Sequence, residues 1–150
     1  MIYAPANNNN IIGKITTMSR WPNAFFMMAA FYILIGTCWG MYMSVTHDFS
    51  TSPAHAHLNL LGFMSLSVMG GFYATLGRDT PGWLLKANFF LNNIGVISMI
   101  TALTLLFTQK ATIAQLTPLF MLGGPLIILG FACFFSAVAF SFRRRTLAAA

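Results

Sequence analysis

Residues 47–72 read HDFSTSPAHAHLNLLGFMSLSVMGGF. Ser52-Pro53 marks a helix start, with serine as cap and proline in the first turn. Apolar residues dominate from there to about residue 76. A helix rises 1.5 Å per residue and needs roughly 20 apolar residues to cross a hydrocarbon core, so this run is long enough to span a membrane. Its mouth is unusual. The chain's three histidines, His47, His55 and His57, fall within eleven positions there. Imidazole is costly inside lipid unless it has a partner, and the cluster therefore points to a metal or metal-cofactor site.

Three more apolar runs flank this one, at about 23–45, 83–108 and 114–142. Membrane-spanning β-strands would show alternation over about 10 residues, and none of the runs alternates. The fold class is therefore all-α, a bundle of four transmembrane helices forming one domain over 21–150. Residues 1–20 are polar and asparagine-rich at Asn7 to Asn10. They read as a flexible cytoplasmic tail and not as a cleavable signal peptide. The connections are short, so sequential helices should pack antiparallel. Residues 77–82 form a polar turn, and Pro118 and Pro125, with Gly123 and Gly124 between them, predict a kink in the fourth helix. Small residues at Gly36, Gly40, Gly62, Gly70, Gly71, Gly95 and Gly130 are candidates for close helix contact.

The composition agrees. Hydrophobic residues make up 57% of the chain and charged residues 7%, against about 25% charged in soluble domains. This excludes an ordinary water-soluble globule. Only two carboxylates are present, which argues against carboxylate acid–base catalysis. The net charge of +6 is distributed as a topology signal and does not indicate a nucleic-acid partner. Seven of the eight basic residues (Lys14, Arg20, Arg78, Lys86 and Arg143 to Arg145) fall on one side of a four-span chain, and Lys110 on the other. The positive-inside rule then makes both termini cytoplasmic and turns the histidine loop toward the periplasm, or the outside, and the expected location is a bacterial inner membrane. Cys38 and Cys133 lie within apolar runs without a CxxC partner and read as packing residues.

A helix turns about 100° per residue, so His55 and His57 lie about 200° apart on a regular helix. They cannot share one metal ion there. Either each serves a different site, or the helix is unwound at its start. Heme suits the first option, since its iron takes axial imidazole and its flat ring fits between apolar helices. A ring nitrogen not bound to metal usually donates to an oxygen, and Ser65, Ser67, Asn59 or a backbone carbonyl are candidates. Plainer readings stand beside this one. His47 and Asp48 suit a solvated loop. His55 and His57 suit an interfacial helix end, hydrogen-bonded to neighbours, or a proton relay. The Asn92-Asn93 pair suits amide glue between helices.

His47-Asp48, Ala54-His55-Ala56-His57, Leu60 and Met69-Gly70-Gly71-Phe72 together resemble one segment of the heme–copper oxidase catalytic subunit, cytochrome c oxidase subunit I. The matching segment there is the loop and start of the tenth helix. His57-Leu58-Asn59-Leu60-Leu61 is also similar to the opening of the second helix in bacterial nitric oxide reductases. The resemblance implies that His55 and His57 ligate the high-spin and low-spin hemes respectively. It implies that His47 and Asp48 lie near heme propionates and a magnesium ion. Lys110 matches, by topology alone, an arginine pair that faces propionates.

That subunit has about twelve helices in three arcs. This chain has one arc and lacks the copper-site histidines. The resemblance therefore implies a homotrimer with heme b at its interfaces, each heme held by His55 of one chain and His57 of the next. The expected function is electron transfer, or redox or gas sensing, among membrane lipid with a quinone or respiratory-chain partner. Two alternatives are a metal or heme transport component or accessory subunit, and a small quinol oxidase or nitric oxide reductase-like enzyme.

Overall fold

The structure, a computed structural model, describes residues 20–149. Four helices are long and apolar enough to cross a membrane. The first is α1, Trp21–Thr46. The second span is composite. It opens as α2, Ser52–His57, widens into a π-helical segment over Leu58–Met64, and returns to α geometry as α3, Ser65–Thr75. The third and fourth spans are α4, Gly82–Phe107, and α5, Ile113–Ala149. The segment expected as a tail, residues 1–20, lies outside the described residues apart from Arg20.

The helix ends differ from expectation in informative ways. Ser52 is the first helical residue and Thr51 occupies the cap position, where its side chain makes no capping bond. The Thr51 hydroxyl instead accepts from Trp39 Nε1 at 3.0 Å, which ties the start of the second span to α1. α5 passes through Pro118 and Pro125 without ending and continues beyond the apolar run. At 1.5 Å per residue it is roughly 55 Å long, against a hydrocarbon core of about 30 Å. Its arginine-bearing end therefore stands clear of the apolar slab.

Lipid is as apolar as leucine, so burial alone does not hold membrane helices together. Close backbone approach and interhelical hydrogen bonds do that work. α4 and α5 form the most extensive pair. A Cβ on Gly95 would come 2.9 Å from the Ile127 nitrogen, and one on Gly123 would come 2.9 Å from the Met99 nitrogen. Asn88 Nδ2 donates to the Gly130 carbonyl at 2.7 Å, and the Ser98 hydroxyl to that of Leu119 at 2.9 Å. Gly71, expected at a contact, faces open space.

At the arginine end an aromatic cluster joins all four spans. Phe25 of α1 packs on Tyr73 at 5.3 Å and on Phe89 at 5.1 Å, and Phe134 of α5 packs on Tyr73 at 6.0 Å. The contacts of Phe25 with Phe89 and of Phe134 with Tyr73 are edge-to-face and that of Phe25 with Tyr73 is tilted; such aromatic pairs add to the area they bury. α1 packs mainly on the second span and touches α4 only slightly, while α5 packs on α4. The spans thus form an open arc in chain order, with α1 and α5 at its two ends.

Candidate functional site

The first turns of the second span present the two histidines to different surroundings. His55 is half-buried and His57 exposed. Both sit in the regular α-helical turn, before the chain widens into the π segment, so the helix is not unwound where they stand.

His57 bonds back to its own helix. Its Nδ1 lies 2.7 Å from the Pro53 carbonyl oxygen. A carbonyl only accepts, so Nδ1 carries the proton and donates. The neutral ring then has its lone pair on Nε2. This is the tautomer that metal-ligating histidines adopt, with the second nitrogen anchored to backbone oxygen. The exposed face continues below it as Leu60, Met64 and Val68, which are 56%, 54% and 59% exposed. His57 thus heads an apolar stripe on the outside of the single chain.

His55 turns inward against α1. Asn59, one turn on, places its Nδ2 3.0 Å from His55 Nε2. Trp39 stands edge-to-face to the ring at 6.4 Å. Two glycines of α1 make room for this pair: a Cβ on Gly40 would come 3.2 Å from His55 Cε1, and one on Gly36 would overlap the Asn59 amide. The Gly36–Gly40 spacing therefore admits polar side chains of the second span in place of backbone. His55 Nδ1 and Asn59 Oδ1 are buried without a hydrogen-bond partner. Reversing the amide changes which Asn59 atom is orphaned and leaves Nδ1 alone in both cases. A buried unpaired polar atom costs about 1–3 kcal/mol, so this pocket stores unspent hydrogen-bonding capacity.

The residues fit a heme unequally. His57 offers an anchored ring with its Nε2 outward, above an apolar stripe. His55 does not offer Nε2 in this arrangement, because Asn59 occupies it and Gly40 and Trp39 enclose the ring. The apolar groove between α1 and α4, lined by Tyr32, Trp39 and Ile97 among others, holds about 210 Å³ and is lined by no histidine. Small-molecule pockets usually hold roughly 300–1,000 Å³, so on the single chain that groove is smaller than a typical ligand site.

His47 is exposed and left-handed, with φ of 55°. Histidine tolerates that region better than bulky residues do, and here it closes the end of α1. Asp48 follows in the loop. The Ser50 amide donates to its Oδ1 at 2.9 Å. That bond, followed by one from the Ser50 side chain, holds the carboxyl below its ordinary range. Lys110 is exposed in the α4–α5 loop, on the same side of the bundle as His47 because the spans alternate in direction. Its amide bonds the Leu105 carbonyl at 3.0 Å, and left-handed Gln109 bonds that of Leu106. This is a Schellman closure. Among the described residues, no three His, Cys, Asp or Glu side chains gather as a metal site.

Several residues of the site carry no sequence signal of their own. Trp39 and Thr51 are joined only by folding. Tyr32, whose hydroxyl donates to Asn93 Oδ1 at 3.0 Å, is one of many aromatics. Asn88 is fully buried beside the more conspicuous Asn92-Asn93 pair. Cys38, read as a packing residue, is exposed, and Cys133 is partly buried.

Fold and site define a multi-pass helical membrane protein whose second span bears one inward and one outward histidine. No family model, no curated protein and no solved structure matches this chain.

Proposed function

We propose that this chain is a b-type heme protein of a bacterial inner membrane, serving electron transfer or redox or gas sensing. His57 is the residue that would hold the heme iron, and it carries this reading. Its Nδ1–H is anchored on the Pro53 carbonyl and its Nε2 lone pair is free on the exposed face. That face has no wall of its own, so the second wall comes from another copy. The open arc, with α1 and α5 left as edges, supports closure into a homotrimer, and the resemblance around residues 47–72 supports the same scheme. When bound, heme supplies one-electron chemistry or a site for a small gas. The chain's residues hold the ring, exclude water and fix the tautomer of His57.

For the neighbour's His55 to complete the ligand set, its Nε2 must leave Asn59. The hydrogen bond given up is worth about 1 kcal/mol net. The positive-inside rule places the histidine end toward the periplasm.

The absorption spectrum of protein from heme-replete cells tests the proposal. A Soret band and reduced α band at about one heme per chain are expected, lost in His57→Ala. A colourless wild-type preparation, or a His57→Ala variant with full heme, overturns it. A His55→Ala variant that keeps heme makes His57 the sole ligand from this motif.

A second reading, an accessory membrane subunit without a cofactor, is favoured by one observation: His55 and Asn59 fill the Gly36–Gly40 notch as a packing device. It predicts that both histidine variants leave a colourless protein unchanged in spectrum.

A further inference from the structure

Arg78 ends the second span, and Arg144 and Arg145 lie near the end of α5, more than sixty positions away in sequence. The fold brings all three to one recess of about 680 Å³, whose wall also includes Asp79, Ser141 and Leu147. Topology alone requires positive charge on this side of the bundle. It does not require arginines from two distant helix ends to converge.

Their side chains are also held. Arg78 Nε donates to the Ala74 carbonyl at 2.8 Å. Arg145 Nη2 donates to the Leu76 carbonyl at 3.4 Å, where the Ser141 hydroxyl also bonds. The Arg144 guanidinium stacks on Phe140 at 5.4 Å. Stacking uses the face of a guanidinium and backbone bonding uses one of its five N–H groups, so hydrogen-bonding edges remain for a ligand. Three guanidinium groups against one carboxylate leave the recess cationic. Planar forks match phosphate oxygens in a bidentate way. The volume lies within the range of ligand sites.

We infer that this recess binds a phosphate group, gripped by Arg78, Arg144 and Arg145. The site stands where α5 leaves the apolar slab, and Leu76 and Leu147 beside it are 51% and 69% exposed. An anionic lipid would set its headgroup phosphate among the arginines and its acyl chains along these leucines. Basic recesses between transmembrane helices bind headgroups in this way.

Native mass spectrometry of the full-length protein in detergent tests this with dioleoyl phosphatidylglycerol, dioleoylglycerol and inorganic pyrophosphate. Saturable binding of the phospholipid, at least tenfold tighter than of dioleoylglycerol, is expected. Arg78→Gln, Arg144→Gln and Arg145→Gln should each weaken it about tenfold. Arg143→Gln, which removes the same charge one residue outside the recess, should change it less than twofold. Arg145→Lys, which keeps charge and loses the fork, should behave like Arg145→Gln. Pyrophosphate binding with the same variant pattern, and no preference for the phospholipid, supports the site with a soluble phosphate ester as its occupant. Equal weakening by Arg143→Gln, or no saturable binding of either phosphate compound, overturns the inference.

Discussion

Gly40 lies against the ring of His55, so closely that a methyl group there would stand 3.2 Å from Cε1. One turn earlier, Gly36 stands in the same relation to Asn59, and there a methyl group would overlap the amide outright. The two substitutions should therefore differ. Gly36→Ala should destabilise the protein by about 1–3 kcal/mol, the usual range for overpacking. Gly40→Ala needs a shift of only a few tenths of an ångström and should cost less. Gly71→Ala, with nothing within 4 Å, should be neutral or stabilising by up to about 1 kcal/mol through helix propensity. Equilibrium unfolding in mixed detergent micelles gives the order, and a Gly71→Ala variant as unstable as Gly36→Ala would contradict it.

Tyr32 joins α1 to α4. Its hydroxyl donates to Asn93 Oδ1 at 3.0 Å, while Asn93 Nδ2 donates to the Phe89 carbonyl at 2.8 Å. Toward the arginine end the same two spans meet through Trp21 and Phe25 against Phe89, and the Tyr32–Asn93 bond ties them further along the groove. Tyr32→Phe keeps the ring and removes only the donor. It should lower stability by about 0.5–1.5 kcal/mol, the usual net worth of an intramolecular hydrogen bond. The same unfolding measurement decides it, with Tyr42→Phe as control, since Tyr42 is 63% exposed.

The four spans were legible because length and hydropathy suffice for them: the runs read at 23–45 and 83–108 appear as Trp21–Thr46 and Gly82–Phe107. The opposed directions of His55 and His57 were also legible, since two residues along a helix turn through about 200°. The inward partner of His55 was not. Gly36 and Gly40 have a spacing that admits any small-residue contact, and only the packing shows that imidazole and amide fill it. The π segment over Leu58–Met64 was equally hidden. A widened turn leaves no compositional mark in the stretch Leu-Asn-Leu-Leu-Gly-Phe-Met. Arg78 and Arg144 read as separate topology marks until the helix ends met.

Asp48 gives the His47–Thr51 loop a dependence on pH. Its carboxyl titrates below the ordinary value of 3.8 because the Ser50 amide bonds the ionised form. As pH falls, the unfolded loop binds its proton first. The stabilisation is therefore full above the ordinary carboxylate value and is lost as pH falls through the lowered folded value. The protection of the Ser50 amide, its exchange rate relative to the intrinsic rate at the same pH, should fall across that acidic window and stay constant above it. Asp48→Asn keeps an acceptor oxygen without a titrating proton, and should abolish the dependence. An Asp48→Asn loop with unchanged acid sensitivity would assign the effect to another group.

The buried amides of α4 set up a sharper test of how α4 holds α5. Asn92 is 1% exposed, and its Nδ2 donates to the Asn88 carbonyl at 2.9 Å and lies 3.8 Å from Met69 Sδ. Its Oδ1 is buried without a partner. Gly130 of α5 leaves space for this amide, and a Cβ there would overlap it. Gly130→Ala should thus cost about 1–3 kcal/mol by overpacking. Asn92→Ala loses the bond to the Asn88 carbonyl and the weak one to Met69 Sδ but also removes an orphaned acceptor, so its own cost should be smaller. In the double variant the new methyl group meets the space the amide vacated. A double-mutant cycle should then show a coupling of about 1 kcal/mol or more in the compensating direction, within the range for residues in contact. Strict additivity would mean that α5 relieves the overlap by shifting, and that the Asn92–Gly130 contact does not set the distance between the two helices.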